Sequence, residues 1–210
     1  MATKKLEGTA IVEPANLVTT TVRIEGTAPL VQHRFWKKAA LMIDMATEKT
    51  SKPTKKQRPV RDYDAEFLAA QHVSVAGWIG IPAPAFRSAM IDACRTVGLV
   101  MTTSKMAVFV QPDGFDAEDG TPLVRIIADP PERHEAAVRN ADGSVDVRVR
   151  PIWREWAADV TVTFDADMIS ISSVVNLLDR AGQQVGVGEG RPFSKKSVGQ
   201  GWGTFRVKAQ

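Results

Sequence analysis

Only one cysteine, Cys94, stands among the 210 residues, so no disulfide within the chain can staple the fold. Histidine is nearly as scarce: His33, His72 and His134 are the whole complement, and no Cys/His grouping has the spacing of a zinc site. No apolar run approaches the roughly 20 residues needed to cross a bilayer. The opening MATKKLEGTA lacks the apolar core of a signal peptide. The expectation is a cytoplasmic protein with no membrane partner, no metal and no cofactor. What is present, 44% hydrophobic and 24% charged residues, is the composition of a globular chain. Its length is enough for one domain, residues 1–210, to bury a real core without covalent help.

The net charge is small but uneven in place. The net charge is +3, yet residues 34–61 hold nine Lys/Arg against Asp44 and Glu48, and six basic residues from Arg180 onward face only Glu189. Two basic segments on an otherwise acidic chain predict a localised surface for a polyanion, with salt-dependent affinity.

The pattern of apolar residues predicts the regular elements. LVTTTVRIE at 17–25 alternates Val18, Val22 and Ile24 against Thr19, Thr21 and Arg23, the period of a strand buried on one face. RFWKKAALMIDMATE predicts a short helix, followed by an exposed basic loop, TSKPTKKQRP. From Pro84, the residues Phe86, Ala89, Met90, Ala93, Cys94 and Val97 recur at helical spacing, and Gly98 ends the run. Arg95 lies opposite that stripe and Arg87 flanks it. Strands are expected at 105–110 and 122–128, either side of the acidic turn PDGFDAEDG, and at 145–150 and 159–164. In VDVRVR, Asp146, Arg148 and Arg150 share one face, which predicts a basic strand surface. A second helix from Asp167 or Ser170 is expected to bury Met168, Ile171, Val174, Val175 and Leu178 and to stop at Gly182. The last strand, WGTFRVK, sets Phe205 and Val207 against Trp202, Arg206 and Lys208.

Strand, basic insertion, helix, strands, helix, glycine loop, strand is an order compatible with an α+β, ferredoxin-like (RRM-like) antiparallel sheet carrying two helices on one face. Its other face would be open, and aromatic and basic side chains there would bind single strands.

Six glycines fall within residues 186–203. They are not a dinucleotide or P-loop cradle, because they follow a helix and open a strand, the reverse of the order such loops need. Two readings remain: glycine-dependent turns, or room for a sugar-phosphate chain beside Arg191, Lys195 and Lys196. The carboxylates Asp113, Asp116, Glu118 and Asp119 lack calcium-loop order and read as a solvated turn. Ser88, Ser170 and Ser173 have no nucleophile-elbow pattern. His72 and His134 read as ordinary surface or capping residues.

PLVQHRF after the first strand, IPAPAFRSAMIDACR opening the first long helix, and GVGEGRPFSKKSVGQGWGTFRV at the end together resemble the RAMP superfamily of CRISPR-associated proteins, or a bacteriophage-encoded relative of it. Ala83-Pro84-Ala85 stands where those families carry Gly-Ser. The resemblance implies one or two ferredoxin-like folds and copies that polymerise along a guide strand, in a bacterial cell or in the cytoplasm of a phage host. It assigns Arg87 and Arg95 to the helix that approaches the strand, and Arg191, Lys195 and Lys196 to the glycine loop.

The expected function is non-enzymatic binding of single-stranded RNA or DNA by a homo-oligomer or filament. Arg34, Lys37, Lys38, Lys55, Lys56, Arg87, Arg95, Arg148, Arg150, Arg191, Lys195, Lys196 and Arg206 are expected to meet phosphate. Trp202 is expected to stack on a base, with Trp36 as a second aromatic candidate. Two alternatives differ in class. One is metal-independent cleavage of RNA by His33, with Arg34 as phosphate stabiliser; the other is a viral structural or assembly protein.

Overall fold

The computed structural model describes residues 13–34, 62–139, 145–194 and 199–208. The fold is mixed α and β, with antiparallel sheets and four α-helices among the described residues.

Strand β1 (Leu17–Gly26) forms where the sequence predicts it, because a run of Val, Thr and Ile suits a pleated, half-buried surface. It pairs with β9 (Ala157–Asp165) over nine residue pairs, from Leu17 opposite Asp165 to Glu25 opposite Ala157. The far side of β1 takes β10 (Phe205–Val207), and the far side of β9 takes β4 (Val108–Gln111), giving the sheet order β10-β1-β9-β4. Val22, Ile24, Val160, Val162 and Phe164 fall on one face and enter the core. Thr19, Thr21, Arg23, Asp159, Thr161 and Thr163 fall on the other, as the period of two requires.

Two helices cover the apolar face. Helix α2 (Ala83–Ala93) begins immediately after β3 (Gly80–Pro82), continues as a 3-10 turn over Cys94–Val97, and stops where Gly98 takes φ 72°. Phe86, Ala89, Met90, Ala93 and Cys94 are buried as the stripe predicts, whereas Val97 is 39% exposed. Helix α4 (Ile171–Arg180) is capped by Ser170, whose hydroxyl accepts from the Ser173 amide at 3.2 Å, and passes into a π turn at Ala181–Val185. It buries Val174, Leu177 and Leu178. Met168 and Ile171, expected inside, are 45% and 53% exposed. Met168 lies in the turn before the Ser170 cap, and Ile171 is the first residue of the helix. Phe205 joins the layers, its ring edge-on to Phe86 at 5.8 Å and to Trp156 at 6.0 Å.

The expectation of a strand from 105 is corrected at its start. Helix α3 (Met101–Ala107) occupies that stretch, with Ser104 and Ala107 turned inward at helical spacing, and only Val108 onward is extended. Helix α1 (Tyr63–Ala69) is capped by Asp62, whose carboxylate accepts from the Asp64 and Ala65 amides at 3.0 Å.

Two smaller antiparallel sheets flank the core. One has the order β2 (Leu30–Val31), β8 (Val145–Trp153), β7 (Glu132–Arg139); the other has β3, β6 (Pro122–Arg125), β5 (Gly114–Phe115). The basic helix and loop expected within 34–61, with Trp36, Lys37, Lys38, Lys55 and Lys56, lie outside the described residues apart from Arg34, and so do Lys195 and Lys196. No described helix is long and apolar enough to cross a membrane.

Candidate functional site

The open sheet face is not where the cations gather. Thr19 and Thr163 share a hydroxyl hydrogen bond at 2.8 Å, as do Thr21 and Thr161 at 3.0 Å. Arg23 meets Asp159 at 3.2 Å, and Lys208 meets Glu25 at 2.7 Å. Phe109 is the one aromatic on this face among the described residues of its four strands. Arg206 is exposed here, directly opposite Glu25. Trp202 precedes the strand rather than joining it; its half-buried ring stands edge-on to His134 at 5.5 Å and covers Gly190.

On the helix side, three adjoining hollows form a trough along the outer surface of α2. The first, about 430 Å³, lies between Gln32 and His33 beyond β2, His72, the start of α2 at Pro82 and Ala85, and the glycine loop at 188–191. The second, about 220 Å³, shares Ala85, Gly188 and Arg191 with the first and continues past Ser88. The third, about 290 Å³, shares Ser88 and Asp92 with the second and is edged by Arg87, Arg95 and Lys105. From Ala85 to Arg95 the helix advances about 15 Å at 1.5 Å per residue. The segments VQHR, IPAPAFR and the start of the glycine loop, far apart in sequence, therefore border one continuous surface.

The cations along it are held to different degrees. Arg87 is fixed: its Nε donates to the Val108 carbonyl at 2.9 Å, its terminal nitrogen donates to the Lys105 carbonyl, and its guanidinium stands 5.2 Å over the Phe109 ring. Arg95 is 58% exposed, 6.0 Å over Phe193 and 3.8 Å from Asp92. Arg191 donates to the Gly188 carbonyl at 2.9 Å from a position on both the first and second hollows.

Arg34 lies elsewhere. Its side chain is 5% exposed and sits 3.0 Å from Asp116, 3.0 Å from Glu118 and 2.8 Å from Asp119. The acidic turn expected to be solvated thus surrounds a guanidinium, and Asp116 is fully buried within it. Burial alone would raise the Asp119 carboxyl, but hydrogen bonds from Thr121 and Arg34 hold it well below the usual carboxylate range. The second oxygen of Asp116 accepts from Nδ1 of His72 at 2.9 Å, while the first also accepts from the Glu118 amide at 2.9 Å. That contact sets the imidazole in one orientation, on the wall of the first hollow beside His33.

A second buried ion group lies at the same hollow. The expected basic face of β8 is buried at Arg150, which is 4% exposed and 2.7 Å from Glu189, while Arg148, half-buried, is 3.7 Å from the same carboxylate. Burial pushes the Glu189 carboxyl up against the opposing pull of Arg150 and Arg148. Burial also lowers the Arg150 guanidinium, against the pull of Glu189.

The glycine loop divides by function of its glycines. Its base is stitched to the β2 end: Glu189 N–H donates to the Val31 carbonyl at 2.9 Å, Gly203 to Pro29 at 2.8 Å, and Val187 to Gly203 at 3.0 Å. Gly203 has φ +66°, and a Cβ there would lie 1.8 Å from the Val187 carbonyl oxygen. Gly201, with φ +79°, has nothing within 4 Å. Tight backbone contact with the chain itself accounts for the first kind, and only the second kind leaves space.

His72, Asp116 and Glu189 are functional candidates that sequence reasoning passed over. His72 and Asp116 are 44 positions apart, a separation that carries no motif. No protein-family model matches the chain, and no curated protein matches it either.

Proposed function

We propose that this chain binds single-stranded nucleic acid without enzymatic action, in several copies along the strand, as a ferredoxin-like protein similar to the RAMP backbone subunits or to a phage-encoded relative. The observation that carries this reading is the trough, because it gathers Arg87, Arg95, Lys105 and Arg191 where three separate sequence motifs meet. The order strand, helix, strand, strand, helix, strand in the main sheet and its helices, with spatial order β10-β1-β9-β4, supports the fold assignment. In this reading phosphates pass the exposed Arg95 and then Arg191, while Arg34 and Arg150 maintain the walls rather than touch the strand. The setting is the cytoplasm of a bacterial cell, including one infected by phage.

Arg95→Ala tests the reading with little risk to the fold. Fluorescence anisotropy across a salt series should show weaker binding of a single-stranded oligomer and a salt slope smaller by about 0.7, the loss of one phosphate contact. An affinity and slope equal to the parent's would remove the trough from the interface.

One observation favours a second reading, metal-independent cleavage of RNA: His33 and the Asp116-oriented His72 share the first hollow. RNA incubated with the protein in EDTA should then be cut, with cleavage lost in both His33→Ala and His72→Ala. Intact RNA leaves binding alone.

A further inference from the structure

The first hollow differs from the rest of the trough. At about 430 Å³ it exceeds what one phosphate fills, and Ile81, Pro82 and Ala85 make one wall apolar. The imidazoles of His33 and His72 line it, and imidazole is among the side chains on which bases stack. Glu189 also lines it. One carboxylate oxygen of Glu189 is held by Arg150 at 2.7 Å, and the other, buried, meets no donor among the described residues. A carboxylate at a phosphate site would repel its ligand, whereas at a base site it accepts N–H groups.

We propose that this hollow is a nucleobase pocket, in which one guanine is turned out of the strand, stacked between the apolar wall and the imidazoles, and read through its Watson–Crick N–H donors by Glu189. Guanine is chosen because it presents two neighbouring N–H donors to one carboxylate. Uracil and thymine present one. The inference rests on the strand-binding reading for its setting, with Arg191 at the mouth of the pocket, where the adjoining phosphate would lie. The pocket's own chemistry would equally take a free guanosine nucleotide.

The test compares an oligouridylate of about twelve residues with the same oligomer carrying one central guanine, and adds guanosine and uridine 5′-monophosphates as free probes. The guanine oligomer should bind about tenfold more tightly, and guanosine monophosphate should bind where uridine monophosphate does not. Ser194→Phe, which fills the hollow from a loop position, should bring the ratio between the oligomers close to one. Equal binding of both oligomers keeps the strand reading and overturns the pocket, as does a guanine preference that survives Ser194→Phe. Binding of guanosine monophosphate with neither oligomer bound keeps the pocket and removes the strand reading. Failure of all four probes overturns both.

Discussion

Arg34→Ala is expected to lower the free energy of unfolding by about 3–5 kcal/mol, the range for removing one partner of a buried ion pair. The reason is the company the guanidinium keeps. With Arg34 gone, the fully buried Asp116 retains, among the described residues, His72 and one backbone amide, and Asp119 and Glu118 lose the Arg34 guanidinium. Urea denaturation at neutral pH measures the loss. The pH dependence has a definite sign. Asp119 is depressed in the folded state, so its contribution to stability is present above the unfolded carboxylate value near about 4 and is lost as pH falls through the lower folded value. Removing Arg34 removes part of that contribution. The gap between parent and variant should therefore be widest at neutral pH and narrow progressively in acid. A gap that stays constant with pH would mean that Arg34 acts by packing rather than by its charge.

Gly203→Ala is expected to be at least as damaging, by about 3 kcal/mol or more, because two penalties coincide. An L-residue at φ +66° is strained by about 1–2 kcal/mol, and the new Cβ would press on a backbone carbonyl 1.8 Å away that cannot rotate aside. Gly201→Ala meets only the first penalty, since its surroundings are open. A difference of about 2 kcal/mol between these two variants in the same denaturation experiment follows from overpacking alone. Equal effects would show that the loop base relaxes freely around Val187. The pair also separates scaffold from surface: Gly203 belongs to the stitch that holds the loop to β2, and Gly201 to the part that faces outward.

The helix at 84–97 shows how far local pattern reaches. Its stripe, its start after a proline and its αL glycine stop all depend on residues within a few turns of one another, and each is present in the structure. The same holds for β1, where alternation alone assigns the two faces. The exceptions also have local causes. Alternation in KMAVFV misplaced the start of β4, because small residues at 104 and 107 serve equally well as the inner face of a short helix. Met168 falls in the turn before the Ser170 cap and Ile171 opens the helix, so both stay exposed while Val174, Leu177 and Leu178 are buried.

Charged side chains were harder to read. In VDVRVR the period of two correctly separates valines from arginines. Which face meets solvent depends on Glu189, about forty residues later, arriving from the glycine loop against Arg150. Arg34 and the acidic turn were each legible as charged and exposed, but their pairing joins residues more than eighty positions apart. A long-range ion pair leaves no periodic trace, since either partner alone has the signature of a solvated side chain.

By itself, then, the sequence determined the alternating strands, the two amphipathic helices, the lack of a disulfide within the chain and the need for glycine between α4 and the last strand, because propensity, periodicity and backbone sterics act over a few residues. Only the tertiary structure decided which cations remain on the surface, that the open sheet face is paired and threonine-lined, and that two histidines and a carboxylate share a hollow at the start of α2. Those outcomes depend on desolvation and on contacts between distant segments, and the chain specifies them only when the sheets close around a common core.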